Sequence, residues 1–403
     1  MKIAIFSDSY YPQINGLVTA INLITNFLSK TNKIILIIPT KNYNSSNVKY
    51  KLDKNCQIIS SPSIPFLFFP EYKIAIPFSL KILKILLKEK IDVIHTHTFF
   101  TLGILGLIIA KLRKIPIVHT YHTYFEEYLH YIKIPKKIGK FLLVLYSRFY
   151  CNNCDRVIVP TEMMKEVLIS YGIKKEIIVV PTGIDRESFK NGNKRIWRKK
   201  LKIDKEKFLL LYVGRLAKEK NIFLLLECFK ELRDELKDLY FLIVGDGPLR
   251  KEILKYIKEN EIENYVKLTG FVSASEIKDI YACGDLFIFS SKTETQGLVI
   301  LEAVSSNLPI VALREGGLKY VLPKKNVIGI SAVKDKYEML EKIKFYYFNL
   351  KKLQKLIERN LETFSEKWSI EMTIKNYESI YKTVIKEKYK NIKNGFKSEE
   401  LLF

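Results

Sequence analysis

The feature that most constrains the fold is a series of short apolar segments of strand type, which alternate with segments of helical length. In the first half of the chain these segments are residues 3–6, 34–38, 92–94, 115–118 and 156–159. In the second half they are residues 208–213, 240–244, 266–268, 286–289 and 309–312. Continuous Val, Ile and Leu strands separated by helices are typical of parallel sheets that are covered on both faces. The two series therefore predict an α/β chain with two Rossmann-like parallel-sheet domains.

The length of the chain agrees with two domains, because 403 residues exceed what one ordinary core supports. We predict domains over residues 1–183 and 184–365, joined after Val179-Val-Pro-Thr-Gly183-Ile-Asp185. A closing helix over 366–385 is expected to cross back to the first domain, ahead of a basic tail over 386–403. Ligands of such sheets bind at the carboxyl ends of the strands, so the active site is expected in a cleft that the two domains face.

The chain is strongly basic, with 67 Lys plus Arg against 43 Asp plus Glu and a formal net charge of +24. Such a surface attracts polyanions, either nucleic acid or the anionic face of a membrane. The basic residues form no zinc-finger, RNP or recognition-helix pattern, so we expect no nucleic acid partner. The alternative explanation is a lysine-rich bias in composition, since Lys is scattered along the whole chain.

Other features favour a cytoplasmic protein that does not span a membrane. The longest apolar stretches are strand-sized and fall short of the roughly 20 residues that a spanning helix requires. The first residues are interpreted as a buried strand and not as a signal peptide. The five cysteines are an odd number without a disulfide framework, which indicates a reducing compartment. Cys151-Asn-Asn-Cys154 has no second pair at ligand spacing and is interpreted as structural.

The segment Ser291-Lys-Thr-Glu294-Thr-Gln-Gly297-Leu-Val-Ile-Leu-Glu302 carries the most specific chemistry in the chain. It follows a predicted strand and opens a helix at Gly297, whose first backbone amides suit an anionic group. Glu294 before the helix and Glu302 inside it can hold hydroxyls at the two ends of a ligand, with phosphate between them. A nucleotide-sugar has this arrangement of groups. The alternative is that both glutamates lie on a solvated helix face.

Together with Asn307-Leu-Pro-Ile-Val-Ala and Gly316-Gly317, this segment resembles the donor-sugar motif of the retaining nucleotide-sugar glycosyltransferases of family 4. The resemblance covers residues 1 to about 385, including Trp368. It implies the GT-B architecture, with an acceptor-binding first domain and a nucleotide-sugar-binding second domain. Asn307 departs from the Gly that is usual in the family, but Asn tolerates a left-handed backbone well enough to keep the turn.

Three further loops at strand ends complete the predicted donor site. Gly16 can bring its amide close to a phosphate at a helix start, although a single glycine is also typical of an ordinary turn. Arg215 and Lys220 flank one loop and can clamp a diphosphate, unless both are ordinary surface cations. Val272 ends the third loop, Leu268-Thr-Gly-Phe-Val272.

The chain offers no G-x-G-x-x-G, Walker or Asp-x-Asp motif, so neither a cofactor nor a metal is expected. Arg215, Lys220 and helix amides would neutralise the leaving diphosphate instead. The resemblance further implies that Glu294 contacts the hydroxyls of the donor sugar and that Glu302 contacts the ribose. The remaining donor contacts would come from three backbone amides, those of Gln296, Gly297 and Leu298.

A run rich in His, Glu and aromatic side chains, residues 120–131, follows one of the predicted strands. This run, Pro12-Gln-Ile-Asn-Gly16 and Pro181-Thr-Gly-Ile-Asp185 are similar to the diacylglycerol α-glucosyltransferases of bacteria. The similarity places Glu126 and Tyr128 on the acceptor side.

The histidines of this region receive different interpretations. The family resemblance implies that His122 lies under the reacting sugar and contacts it or supports transfer. His119 and His130 are interpreted as part of a polar cap over the core. His95-Thr-His97, after the preceding strand, is expected to shape the acceptor loop.

The same resemblance implies a monotopic enzyme on the inner face of the cell membrane, and two features would serve that role. A predicted helix over residues 78–90 carries Lys81, Lys84 and Lys88 at helical spacing, with apolar residues elsewhere around it. Just before it, Pro65-Phe-Leu-Phe-Phe69-Pro is an apolar aromatic loop. A helix that covers an ordinary Rossmann sheet explains the lysine spacing almost as well.

The expected reaction is transfer of a hexose, with glucose from UDP-glucose as the expected donor, to a membrane lipid such as diacylglycerol. No carboxylate is an obvious nucleophile, so a front-face displacement is expected, in which the leaving diphosphate helps to accept the proton of the acceptor. Two other interpretations stay open. One is the same chemistry on a polyprenol-linked or soluble glycan, and the other is a non-catalytic protein that binds nucleic acid or sugar.

Overall fold

The computed structural model describes residues 1–11, 13, 15–39, 51–66, 69–76, 80–131 and 134–399. For residues 65, 66, 69–74, 80, 81, 130, 131 and 391–399 it describes the backbone alone. The chain divides into two compact units. The first is Met1–Thr182 together with the segment that begins at Ile370, and the second is Gly183–Ser369.

The first unit is built on a parallel sheet. Its strands are β1 (Lys2–Phe6), β2 (Lys33–Ile38), β3 (Cys56–Ser60), β4 (Ser63–Phe66), β5 (Phe69–Ala75), β6 (Val93–Thr96), β7 (Ile117–Thr120), β8 (Arg156–Val159) and β9 (Ile177–Val179). Within the described residues, seven of them form the sheet in the order β3-β2-β1-β6-β7-β8-β9. The other two, β4 and β5, pair as an antiparallel hairpin.

Helices cover this sheet, which is why its central strands consist of apolar residues without polar alternation. They are α1 (Gly16–Ser29), α2 (Leu80–Lys88), α3 (Thr101–Leu112), α4 (Lys136–Asn152) and α5 (Glu162–Ser170), with a 3-10 helix at Phe125–Tyr131. Asn15 caps α1, since its side chain accepts a hydrogen bond from the amide of Val18 at 2.9 Å. Asp8 plays a similar part at α3, where its carboxylate accepts from the Thr101 hydroxyl at 2.6 Å and the Leu102 amide at 2.7 Å.

The second unit repeats the design with a six-stranded parallel sheet. Its strands are β10 (Phe208–Val213), β11 (Leu239–Val244), β12 (Val266–Leu268), β13 (Leu286–Phe289), β14 (Ile310–Leu313) and β15 (Ile330–Val333), in the order β12-β11-β10-β13-β14-β15. Its helices are α6 (Lys194–Lys200), α7 (Ile222–Glu235), α8 (Arg250–Glu259), α9 (Ile277–Cys283), α10 (Leu298–Ser305), α11 (Leu318–Val321) and α12 (Lys336–Glu366). Two Rossmann-like units are therefore present, and the predicted fold class is confirmed.

The last helix, α13 (Ile370–Glu399), belongs to the core of the first unit. Tyr377 and Tyr381 are fully buried there. The Tyr381 hydroxyl lies 2.7 Å from Nδ1 of His95, and the Tyr377 hydroxyl lies 3.3 Å from Oγ1 of Thr120. The helical backbone continues to Glu399, and so includes most of the segment expected to form a basic tail.

Histidines lie inside the first unit at the carboxyl ends of β6 and β7. His95 and His119 are fully buried, and each has a threonine partner. His95 Nε2 lies 2.7 Å from Oγ1 of Thr120, and His119 Nδ1 lies 2.9 Å from Oγ1 of Thr96. Burial lowers the pKa of His119 to about 3 and, with help from neighbouring histidines, lowers the pKa of His95 well below its usual range. Both rings are therefore neutral near pH 7.

These neutral histidines predict a stability that falls in acid. The unfolded chain protonates each histidine near its ordinary pKa of about 6.5, whereas folded His119 resists protonation until about pH 3. Its contribution is complete above pH 6.5 and is lost as the pH falls towards 3, which costs about 2 kcal/mol by pH 5. Urea unfolding above pH 6.5 and at pH 5 gives the free energy of unfolding at both pH values and so measures this loss. His119→Asn keeps a polar group near Thr96 but cannot titrate. Between these two pH values, the free energy of unfolding of the variant should therefore fall by about 2 kcal/mol less than that of the wild type. Equal pH dependence in both proteins would contradict the assignment.

Candidate active site

The donor edge of the second unit is the set of loops that follow β10, β11, β13 and β14. Side chains join the first and third of these loops directly. The Ser290 hydroxyl donates to the backbone carbonyls of Lys220 at 3.0 Å and Asn221 at 2.9 Å. Asn221 has a left-handed backbone with φ of 53°, which turns the chain from the loop into α7.

Glycine allows the other loops to approach this edge closely. The Gly317 amide donates to the Glu294 carbonyl at 2.7 Å, and a Cβ at Gly317 would lie 2.2 Å from the Thr295 carbonyl oxygen. A Cβ at Gly245 would lie 1.9 Å from the Gly214 carbonyl oxygen. Any larger residue would push the loops apart at either point. Asn307, with φ of 55°, keeps the left-handed turn before β14.

Lys220 and Glu294 form an ion pair at the centre of the donor edge. Nζ of Lys220 lies 2.5 Å from Oε1 of Glu294, and each side chain is 15% exposed. The pair holds a cation and a carboxylate side by side, where one ligand could contact both. Arg215 is half-buried in the same loop as Lys220. The Tyr212 hydroxyl donates to the Arg215 carbonyl at 3.0 Å and so helps to fix the backbone of this loop.

The helix α10 begins at Leu298, four positions after Glu294, and Gly297 is its N-cap. Gly297 has φ of 80° and provides no side-chain cap for the first turn. The first amides of a helix have no acceptor in a preceding turn, and the helix dipole makes this end favourable for an anion. Gln296 is buried and Leu298 is half-buried. The predicted contact residues Gln296, Gly297 and Leu298 are therefore next to the ion pair in the chain and at a helix start.

Glu302 lies on the second turn of α10 and is buried, with 7% exposure. The fully buried Tyr281 of α9 donates its hydroxyl to Oε2 of Glu302 at 2.7 Å. Burial raises the pKa of Tyr281 well above its usual range, with a further contribution from the Glu302 carboxylate, so the hydroxyl stays protonated and keeps donating. This contact excludes the solvated-face interpretation of Glu302.

The remaining donor candidates are less enclosed. Val272 is half-buried in the loop after β12. Gly16 is exposed as the first residue of α1, and no atom of the described residues lies within 4 Å of the position its Cβ would take. The space above Gly16 is consequently open on the first unit.

In the first unit, His122 pairs with a second histidine. Its Nε2 lies 2.8 Å from Nδ1 of His97, and the two rings stack with centroids 5.1 Å apart. Burial lowers the pKa of His122 to about 3. Burial also lowers the pKa of His97 well below its usual range, so the pair is neutral near pH 7, with one ring nitrogen of the contact donating and the other accepting.

The segment after His122 is held against α4. The Glu126 carboxylate pairs with Nζ of Lys140 at 2.6 Å and accepts from the Tyr171 hydroxyl at 3.2 Å. Tyr128 is half-buried in the same 3-10 helix. A Cβ at Gly139 of α4 would lie 3.3 Å from Leu129, so this glycine lets the two helices pack closely.

The helix α2 supports the interpretation as a cover helix. Its Ile82 and Leu86 are fully buried in the core of the first unit. Lys84 and Lys88 are exposed, while the side chain of Lys81 lies outside the described residues. The apolar loop predicted at 65–70 also falls there, with no described side chains and no described backbone at 67–68.

The paired cysteines are core residues. Cys151 and Cys154 are buried, and the Cys154 thiol donates to the Tyr150 carbonyl at 3.4 Å. Burial raises the pKa of both thiols. In the described part of the chain, no group of three or more His, Cys, Asp or Glu side chains is placed to hold a metal ion.

Comparison with known proteins identifies the family. The model of Glycosyltransferase Family 4 matches residues 14–188, and that of Glycosyl transferases group 1 matches residues 193–362. An alpha-monoglucosyldiacylglycerol synthase of Streptococcus pneumoniae is 35% identical over 317 residues, which cover 77% of this chain and 71% of that protein. The chain is a member of glycosyltransferase family 4.

Two further similarities extend over nearly the whole glycosyltransferase. An alpha-monoglucosyldiacylglycerol synthase of Acholeplasma laidlawii is 29% identical over 406 residues, covering 97% of this chain and 99% of that protein. The structure of the Anabaena protein HepE in complex with UDP and glucose superposes with a TM-score of 0.74 at 17% identity, covering 95% and 100% of the two chains. That match identifies the GT-B fold.

Three residues of the sites were missed by the sequence analysis. Tyr281 lies 21 positions before Glu302, and no local pattern connects them. Ser290 directly follows β13 and could have been noticed as a polar residue at a strand end. Asp8 follows β1, and the contacts by which it caps α3 join positions 93 and 94 apart in the chain.

The Lys220 position predicts a large effect on turnover. Lys220→Met removes the cation beside Glu294, and loss of one such stabiliser of a leaving diphosphate should lower kcat about 10²-fold. Lys218→Met is the matched control, because Lys218 is an exposed cation in the same 3-10 turn. Steady-state kinetics of both variants provide the measurement. Similar rates for the two variants would remove Lys220 from the diphosphate site.

Tyr281 is predicted to act as a positioning residue for Glu302. Hydrogen bonds to charged groups contribute about 1.5–3 kcal/mol, so Tyr281→Phe should raise the KM for the donor about tenfold and leave kcat within about twofold. Tyr346→Phe is the control, because its hydroxyl is also buried in the second unit but accepts from the Gly329 amide at 2.8 Å. A donor KM that rises equally in both variants would indicate general loosening of the unit.

Proposed function

We propose that this glycosyltransferase moves glucose from UDP-glucose to diacylglycerol and so makes an α-glycosyl glycolipid. The observation that carries the donor half is the ion pair of Lys220 and Glu294 beside the start of α10. The lipid half rests on the two alpha-monoglucosyldiacylglycerol synthases, to which the chain is 35% and 29% identical.

The donor would lie along the donor edge of the second unit. Lys220, Arg215 and the first amides of α10 would neutralise the diphosphate, since each provides a donor or a positive charge. Glu294 would accept hydrogen bonds from the sugar hydroxyls. Glu302, which Tyr281 holds in place, would accept from the ribose. Of the two glutamates, Glu302 is buried and Glu294 is half-buried.

The transfer would retain the α configuration by front-face displacement. The acceptor oxygen bonds to the anomeric carbon on the side from which the diphosphate leaves, and a diphosphate oxygen takes the hydroxyl proton. Two carboxylates of the first unit are already occupied. Asp8 caps α3, and Glu126 pairs with Lys140. Because His122 is neutral, it would form a hydrogen bond to the reacting sugar without adding a positive charge beside it.

The acceptor would be reached at the inner face of the cell membrane. The net charge of +24 suits an anionic bilayer, and Lys81, Lys84 and Lys88 would contribute to that charge. Glu126 and Tyr128 would lie on the acceptor side. No helix in the described residues is long and apolar enough to cross a bilayer. The second candidate acceptor is a polyprenol-linked or soluble glycan.

A substrate test separates these possibilities. Purified protein is incubated with labelled UDP-glucose, UDP-galactose or GDP-mannose and vesicles that contain diacylglycerol or a polyprenyl diphosphate glycan, with or without EDTA. We expect label from UDP-glucose to enter the organic phase only with diacylglycerol, in an α linkage by NMR, and the rate to survive EDTA. Transfer to the polyprenyl glycan alone would replace the proposed acceptor. Strict dependence on Mn²⁺ or Mg²⁺ would reject the metal-independent mechanism.

A further inference from the structure

The helix α4 exposes a continuous apolar stripe. Its members recur at intervals of three and four residues, which places them on one face of the helix. They are Ile138 (52% exposed), Phe141 (62%), Leu142 (51%), Leu145 (44%) and Phe149 (55%). We call these five residues the α4 stripe.

The α4 stripe is not the core-facing side of the helix. That side consists of other residues, which are buried, namely Gly139, Ser147, Tyr150 and Cys151. The usual surface helix carries polar residues opposite its core face, but here two phenylalanines and two leucines take that place. Contiguous exposed apolar side chains of this kind mark a surface that contacts a partner or a membrane.

The charges around the α4 stripe favour an anionic partner. The helix carries Lys136, Lys137, Lys140 and Arg148 and no carboxylate. At its C-terminal end, a surface depression of about 560 Å³ is lined by Arg148, Asn152, Gly172, Lys174 and Lys175. Three of these five residues are cations, and all three are exposed.

The backbone around this depression holds Arg148 in place. Its Nε donates to the Tyr171 carbonyl at 2.7 Å. Gly172 follows with φ of 79°, and a Cβ there would lie 2.9 Å from the guanidinium. The Lys174 amide donates to Oδ1 of Asn152 at 2.7 Å, which ties the lysine segment to the end of α4. The cations are therefore fixed to the same helix as the α4 stripe.

We propose that α4 docks this protein on an anionic phospholipid bilayer. The α4 stripe inserts among the acyl chains near the headgroups, and Arg148, Lys174 and Lys175 contact the headgroup phosphates. Amphipathic helices with Phe and Leu on one face and cations at its border bind membranes in this way. This inference deepens the proposed function, on which it rests for the reason to approach a lipid.

A membrane fits the surface better than a protein partner. The cations border the apolar face and are accompanied by no carboxylates on α4, which matches an acyl layer topped by phosphates. The position also suits an acceptor site. Lys140 of α4 pairs with Glu126, and Gly139 packs on Leu129. Docking by α4 would therefore bring the segment that carries Glu126 and Tyr128 to the bilayer surface.

The helix α2 is expected to contribute less to membrane binding than α4 does. Its apolar residues Ile82 and Leu86 are fully buried and unable to insert, and Leu87, 53% exposed, is a single exposed apolar side chain among those described, where α4 has five. Its exposed lysines Lys84 and Lys88 contribute general attraction only. Variants of the two helices should consequently behave differently.

Vesicle flotation of the full chain tests the proposal. Vesicles of phosphatidylcholine alone and of phosphatidylcholine with phosphatidylglycerol are used at low and high salt. We expect binding that increases with phosphatidylglycerol, and a partition coefficient that falls about 10²-fold in Phe141→Ser/Leu145→Ser. Phe348→Ser is the matched control, since Phe348 is 71% exposed on α12 in the second unit, and it should bind as the wild type does. Lys84→Gln/Lys88→Gln should lower binding about tenfold at low salt and much less at high salt.

A second measurement detects insertion of the α4 stripe directly and needs no variant that has lost membrane binding. Phe141→Trp places a fluorophore on the α4 stripe, and lipids brominated in the acyl chains should quench it and shift its emission to the blue. Absence of quenching, or equal binding of the wild type and Phe141→Ser/Leu145→Ser, would overturn the proposal. A dimer that Phe141→Ser abolishes, in a protein that ignores vesicles, would also overturn it. Flotation without transfer of glucose to diacylglycerol would refute the proposed function and leave the docking surface intact.

Discussion

Close approach of backbone loops is the constraint on which the donor site depends. Parallel pairing of β10 with β11 and β13 places the ends of these strands at one edge of the sheet, so their loops compete for the same space. Gly245 and Gly317 allow the loops to pack together, because a Cβ at either position would lie about 2 Å from a backbone carbonyl oxygen. The packed loops in turn hold Lys220 beside Glu294 and set the start of α10 next to them. The packed protein itself thus holds the polar groups in place. Polar groups that are preorganised in this way do not have to reorient during a reaction.

The two units keep polar groups inside packed protein by opposite means. In the first unit burial removes charge, because an isolated imidazolium is costly away from water, and the histidines at the ends of β6 and β7 stay neutral. In the second unit the buried or half-buried polar side chains are placed beside complementary partners. Lys220 accompanies Glu294, and Tyr281 donates to Glu302. The neutral histidines of the first unit and the ion pair of the second therefore offer a ligand different kinds of contact.

Much of this architecture could be predicted from the sequence, because buried parallel strands consist of uninterrupted Val, Ile, Leu, Phe and Tyr, as in β10 and β13. The strands that escaped prediction are short or contain polar residues, such as Ile177–Val179 and Cys56–Ser60. The donor segment was recognisable since its strand, turn and helix are contiguous. Contacts between distant positions were not, and Tyr281 is the example. In α2 the helical periodicity was clear, but periodicity alone cannot tell whether the apolar face of a helix packs on the sheet or contacts a membrane.

The chain path has a consequence for biosynthesis. The first unit contains both ends of the described chain, whereas the second is the uninterrupted segment Gly183–Ser369. A ribosome therefore releases the complete second unit before the helix that carries Tyr377 and Tyr381 exists. Until that helix is made, the nascent first unit lacks the hydroxyl that contacts His95 and part of its apolar core. The order of synthesis thus makes the whole of the second unit available for folding before the first unit has its last core helix.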